Sequence, residues 1–228
     1  MTAPVMPGRF GESTELDALP RIAPGEEFPF VCAGCGDCCR ARRDILLSGL
    51  DLYRLARRLR LPPRTVAEAF CRETTGTLPG LRLVPSRHSG NCPFLDGGAC
   101  TVHNARPLAC ALYPLGQAID LTTFRTEYYL QPPLCGARAS GRTLQDYLDA
   151  SGVTERAGAD AFWAVSCAAL QRRVEAAERY PKAAVHGCLM RALYYDYDIR
   201  DEFQPQLTRN LSRLDAMLKR LLGEDARP

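Results

Sequence analysis

The sequence predicts an α+β fold that is mostly helical: a small loop-rich cysteine module with a short strand pair, then a C-terminal helical cap. Three observations predict it. Cysteine, glycine and proline crowd the first two-thirds of the 228 residues, where apolar runs are short. Residues 118–130 alternate enough, with Thr, Phe and Tyr, to read as a strand or hairpin. Beyond Cys135, segments 155–179, 182–198 and 205–222 carry apolar residues at helical spacing.

Each element follows from local chemistry. Residues 1–28, rich in Pro, Gly and acidic groups, read as a tail or extended wrap. Ser48 opens a helix to about Arg60 with Leu52, Leu55, Ala56 and Leu59 on one face. Pro62-Pro63 breaks it and starts a second helix, to about Thr74, carrying Val66, Ala67, Phe70 and Cys71. Residues 81–85 read as a short strand, and 90–115 as a turn-rich stretch holding Cys92, Cys100 and Cys110. Gly136–Gly141 is a loop, and Thr143 caps a short helix to Ala150. In the last helix Leu207, Leu211, Leu214, Leu218 and Leu221 form one apolar seam. The expected organisation is therefore a tail at 1–28, a cysteine module at 29–150, and a helical region at 151–228 packing on it.

Composition excludes several classes. A net charge of +3 implies no global electrostatic partner. No stretch reaches the ~18 apolar residues of a membrane span. Met1–Phe10 lacks a basic segment followed by an apolar run, so no signal peptide is expected and a cytoplasmic setting is. Eleven cysteines in such a chain point to metal or redox chemistry rather than disulfides, and their odd number fits complete pairing poorly.

The cysteines carry the functional reading. Cys32, Cys35, Cys38 and Cys39 fall within eight residues, and Cys92, Cys100, Cys110 and Cys135 follow. Thiolates select zinc, copper(I) or iron–sulfur clusters. Cys32, Cys35 and Cys38 repeat the two-residue gap at which a tight turn aims sulfurs at one centre, as in ferredoxins. That spacing favours an iron–sulfur cluster, 4Fe-4S in type, over zinc. Cys39 then serves a second centre or completes the set. The eight sulfurs divide into two sets of four, or into one centre with the remainder structural or redox-active. Three classes stay open: a redox, electron-transfer or sensing protein with an unidentified redox partner, a zinc-stabilised interaction module, and a metal-dependent modifying enzyme.

The motifs also resemble a family. Phe30-Val-Cys32 through Cys39-Arg40 is one signature. Cys92-Pro-Phe-Leu95, Cys100-Thr-Val-His103 and Arg106-Pro107 through Cys110-Ala-Leu-Tyr113-Pro114 form a second, and Cys135-Gly136 with Leu144-Gln-Asp-Tyr147-Leu a third. Over about residues 30–150 the chain resembles the CxxCxxCC zinc- or iron-chelating domains, the YkgJ-like cysteine-cluster proteins. The resemblance implies bound iron–sulfur or zinc and no single activity. Flagellin lysine-N-methylases carry a similar cluster, but the chain has no Gly-x-Gly-x-x-Gly loop.

Other candidates read more plainly. Cys71, Cys167 and Cys188 sit on apolar helical faces and are expected to be core. His103 can replace a thiolate or, the favoured reading, make a supporting hydrogen bond or simply pack as a ring. Arg106 can balance a thiolate centre or pair with a carboxylate. Tyr113-Pro114 ends a turn. The eight arginines of residues 40–64 read as a solvated helix face rather than a nucleic-acid patch. Tyr194–Asp198 reads as a helix end packing aromatics. No hydrolase or transferase constellation is found.

Overall fold

The computed structural model describes residues 18–41, 45–123, 125–133, 135–177 and 179–223. Most of the expected tail, and Arg42, Arg43 and Asp44 of the arginine-rich stretch, lie outside them. The chain is α+β. It divides into two compact units, one within residues 1–46 and 83–161, the other within 47–82 and 162–228. This partition differs from boundaries at 28 and 150.

In the first unit, β8 (Leu115–Ile119) and β9 (Thr126–Leu130) form the expected hairpin, paired Leu115 to Leu130 through Ile119 to Thr126. β1 (Arg21–Ile22) adds to its edge against Tyr129 and Tyr128. β2 (Phe30–Val31) pairs with β10 (Ala137–Arg138), inside the segment expected to be loop. Local composition does not announce that strand; its partner lies a hundred residues upstream. α5 (Leu144–Ala150) begins at a reciprocal Thr143/Asp146 capping box, which satisfies two orphan donors of its first turn. Ile22, Phe28, Phe30, Leu112, Tyr113, Leu115, Leu144 and Tyr147 form the core, with Cys38 and Cys135 packed against it.

β3 (Leu46–Leu47), which spans the boundary at residue 46, leads into α2 (Gly49–Leu59) of the second unit. Ser48 and Asp51 cap α2 reciprocally, and Arg60 ends it in the left-handed conformation. α3 (Pro63–Phe70) is shorter than expected. Residues from Cys71 to Thr74 form strand β4 beside β5 (Gly80–Leu83). The apolar period of α3 ends at Phe70, and the polar run that follows gains more from strand pairing than from another turn. α6 (Val153–Glu175) begins in the first unit and ends in the second. α7 (Lys182–Met190) passes into a π-helical turn, Arg191–Tyr195, where one long helix was expected. α8 (Phe203–Leu221) starts two residues early because Pro205 is tolerated in a first turn. Of its seam, Leu207, Leu214 and Leu218 are fully buried, as are Leu52, Leu55 and Leu193, while Leu211 and Leu221 are half-buried. Tyr197 stacks on Phe203 at 4.8 Å, and Tyr194 is buried, as the aromatic helix end suggested.

Cys71 opens β4 half-buried and Cys188 is half-buried on α7, so only Cys167 of the three expected core thiols is fully buried. Strand formation turns Cys71 partly outward, and Cys188 faces a groove. All eleven cysteines are free thiols.

Candidate metal centre

The cysteine run leaves β2 at Val31, and the return strand β10 brings Cys135 to the same edge. Gly34 and Gly36 turn the loop with positive φ. A β-carbon at Gly36 would stand 2.7 Å from the Gly98 carbonyl oxygen, so only glycine fits. α1 (Asp37–Ala41) then carries Cys38 and Cys39. Arg40 ties the run together: it pairs with Asp37 and donates to the Cys35 carbonyl at 3.1 Å.

The downstream cysteines arrive on separate short elements. The Cys92 N–H donates to the Cys39 carbonyl at 2.9 Å, joining the two segments directly. β6 (Leu95–Asp96) and β7 (Ala99–Cys100) form a hairpin over Gly97-Gly98, both with positive φ as a two-residue turn of this kind requires. It presents Cys100. A 3₁₀ turn at His103–Ala105 follows, and Pro107 caps α4 (Leu108–Ala111), which presents Cys110. Tyr113 sits before a cis Pro114; its hydroxyl accepts from the Cys135 N–H at 3.2 Å and lies 3.9 Å from the Cys135 Sγ. Tyr147 on α5 donates to the carbonyls of Ala111, at 3.0 Å, and Tyr113.

The outcome is one cavity of about 80 Å³, wholly within the first unit, lined by Cys32, Cys35, Cys38, Cys39, Cys92, Cys100, Cys110 and Cys135. Phe30, Phe94, Val102, Tyr113 and Tyr147 supply its apolar wall, and His103 and Arg106 its polar one. Cys32 and Cys35 are exposed; the other six thiols are half-buried. Cys71, Cys167 and Cys188 line no part of it.

The thiols are close but not clustered at the spacing of a single ion. Cys38 and Cys39 Sγ lie 4.0 Å apart. Cys39 is also electrostatically coupled to Cys92, and Cys35 to Cys135. Among the described residues no group of three or more His, Cys, Asp or Glu is arranged to hold one metal ion.

Electrostatics follow from crowding. The Cys39 thiol is pushed up to about 11. A hydrogen bond with Cys38 pulls it down, but Cys92, burial and repulsion from Cys92 and Cys100 outweigh that. Cys92 is held below the ordinary thiol value, mainly by its hydrogen bond with Cys39. Burial raises Cys100, opposed by the Val102 N–H and by Arg106.

Arg106 Nη1 donates to His103 Nε2 at 3.0 Å, so the imidazole presents its neutral face to the guanidinium. Burial, then the Arg106 charge, depresses the His103 pKa. This is the supporting hydrogen bond favoured for His103. Among the described residues Arg106 has no carboxylate ion pair and instead faces the thiols. The hydroxyl of Tyr113 on Cys135 was not read from the sequence, where Tyr113-Pro114 figured only as a turn end. Tyr147 was visible only through the third signature, because nothing in local periodicity links it to a site.

Residues 31–136 match the family model CxxCxxCC, described as "Putative zinc- or iron-chelating domain". The chain finds no match among curated proteins or among solved structures.

Proposed function

With residues 31–136 a CxxCxxCC domain and so a metal-binding segment, we propose that the eight-cysteine cavity holds an iron–sulfur cluster, 4Fe-4S in type, in a redox, electron-transfer or sensing role. One observation carries the reading: eight thiols from five short segments line a single cavity. Tetrahedral zinc with bonds of about 2.3 Å would need four sulfurs about 3.8 Å apart. A cavity of about 80 Å³ exceeds the roughly 10–15 Å³ that one water requires, so it suits a guest of several atoms.

The donor set fits such a guest. Cys32, Cys35 and Cys38 would hold one face, with the fourth ligand and any second centre drawn from Cys39, Cys92, Cys100, Cys110 and Cys135. A bound cluster supplies one-electron chemistry. The chain's own residues tune it. Phe30, Phe94, Tyr113 and Tyr147 exclude water from the inner wall. Arg106 offsets thiolate charge, and the exposed Cys32–Cys35 edge is where an electron would reach a partner.

One observation favours a second reading, a zinc-stabilised module. The 4.0 Å Cys38–Cys39 separation is close to the zinc spacing.

Anaerobic purification followed by metal and acid-labile sulfide analysis decides between them. The expected protein is brown, contains iron and sulfide, and bleaches in air. A colourless protein that holds only zinc and keeps it in air overturns the cluster and its redox role.

A further inference from the structure

A groove on the second unit, away from the cysteine chemistry, has the makings of a binding site. It lies between α7 and α8, measures about 470 Å³, and falls in the size range of small-ligand clefts, about 300–1,000 Å³. Its charge is one-sided. Arg191 is neutralised by Asp196 at 3.1 Å. Arg213 and Arg220 also line the groove, and among the described residues neither has an ion-pair or hydrogen-bond partner. They stand two turns apart on one face of α8, about 10.5 Å along its axis. Long arginine side chains can therefore converge from both sides on a group between them, over Ala216.

Apart from Asn210, whose amide donates to the Asp196 carbonyl at 2.8 Å, the rest of the lining is soft and apolar. The Cys188 thiol donates to the Met217 thioether at 3.8 Å, and Ala192 and Ala216 are small. The unit around the groove reinforces the field. Residues 47–82 and 162–228 carry 18 Lys and Arg against 12 Asp and Glu, whereas the remainder of the chain carries 11 against 14.

We propose that this groove binds a phosphorylated small molecule, its phosphates held by the Arg213 and Arg220 forks and its less polar part lying along Ala216, Met217 and Cys188. Guanidinium forks match phosphate oxygens in pairs. A solvated arginine face would account for charge alone. It would not account for two guanidinia without a partner among the described residues, bordering a cleft of ligand size whose lining carboxylate, Asp196, is already paired.

The test is calorimetric titration of the full-length chain with inorganic pyrophosphate and with ATP. Binding of either is expected. Arg213→Ala or Arg220→Ala should weaken it by roughly tenfold each, the cost of losing a charged hydrogen bond. Arg172→Ala, a basic residue outside the groove, should leave affinity unchanged. Tighter binding of ATP than of pyrophosphate identifies a nucleotide as the ligand, and equal binding a simple phosphate ester; both support the site. Pyrophosphate should also slow alkylation of Cys188, read by peptide mass spectrometry, without altering metal content. Four results would overturn the proposal: no binding of either probe, equal weakening by Arg172→Ala, unprotected Cys188, or an RNA oligonucleotide bound at these arginines that pyrophosphate does not displace.

Discussion

Glycine 36 and its neighbour in the loop, Gly34, separate two kinds of constraint. Both have positive φ, so an alanine at either costs about 1–2 kcal/mol in backbone strain. Only at Gly36 would the added methyl also meet backbone and side chain, at 2.7 Å from Gly98 O and from Leu95 Cδ1. Gly36→Ala is therefore expected to lower metal content as well as stability, and Gly34→Ala stability alone. Metal analysis beside thermal melts checks this; equal metal loss in both would mean that strain rather than the Gly98 approach matters. The cysteines divide similarly. Cys38→Ser and Cys92→Ser should lose metal. Cys167→Ser, 2% exposed, should keep it and lose about 1–3 kcal/mol, since the new hydroxyl lacks water. A metal-depleted Cys167→Ser protein would show that a ligand was taken for core.

Elements as short as two strand residues or four helical ones hold the cysteines, and such pieces have little stability of their own. Tertiary ties must do the work, and Tyr147 is one. Its hydroxyl joins α5 to the backbone around α4, next to Cys110 and Tyr113. Tyr147→Phe leaves the Ala111 carbonyl without this donor and should cost about 1–2 kcal/mol. If the tie positions Cys110 and Cys135, metal retention should fall too; unchanged retention would limit Tyr147 to stability. In the other unit α2 depends on its capping box. Ser48→Ala should cost about 0.5–2 kcal/mol with metal content unaltered.

Across the whole chain the two units rest on different physics. One is built from short strands around a cavity of thiols; the other has long helices over fully buried leucines. Metal binding energy is folding energy where the site's geometry is not otherwise held. Removing metal with a chelator should therefore raise amide exchange in β2, β6, β7 and α4 far more than in α2 and α8. Uniform loss of protection in both sets would show that the helical unit cannot stand without the metal. Among the described residues no helix is long and apolar enough to cross a membrane.

What the sequence alone determined was local. The helix starts at Ser48 and Thr143, the stop at Pro62, the strand character of 118–130 and the leucine pattern of α8 depend on residues within a turn or two of one another. The cysteine spacing announced metal chemistry for the same reason. What only the tertiary structure decided was long-range. Cys71–Thr74 became a strand because a partner strand was at hand, and Ala137–Arg138 because β2 lay open. Cys135 joined the cavity through that pairing, Tyr113 and Tyr147 acquired roles no periodicity encodes, and Arg106 found thiols rather than a carboxylate. Each outcome required knowing which distant segment would arrive, and spacing along a chain carries no such information.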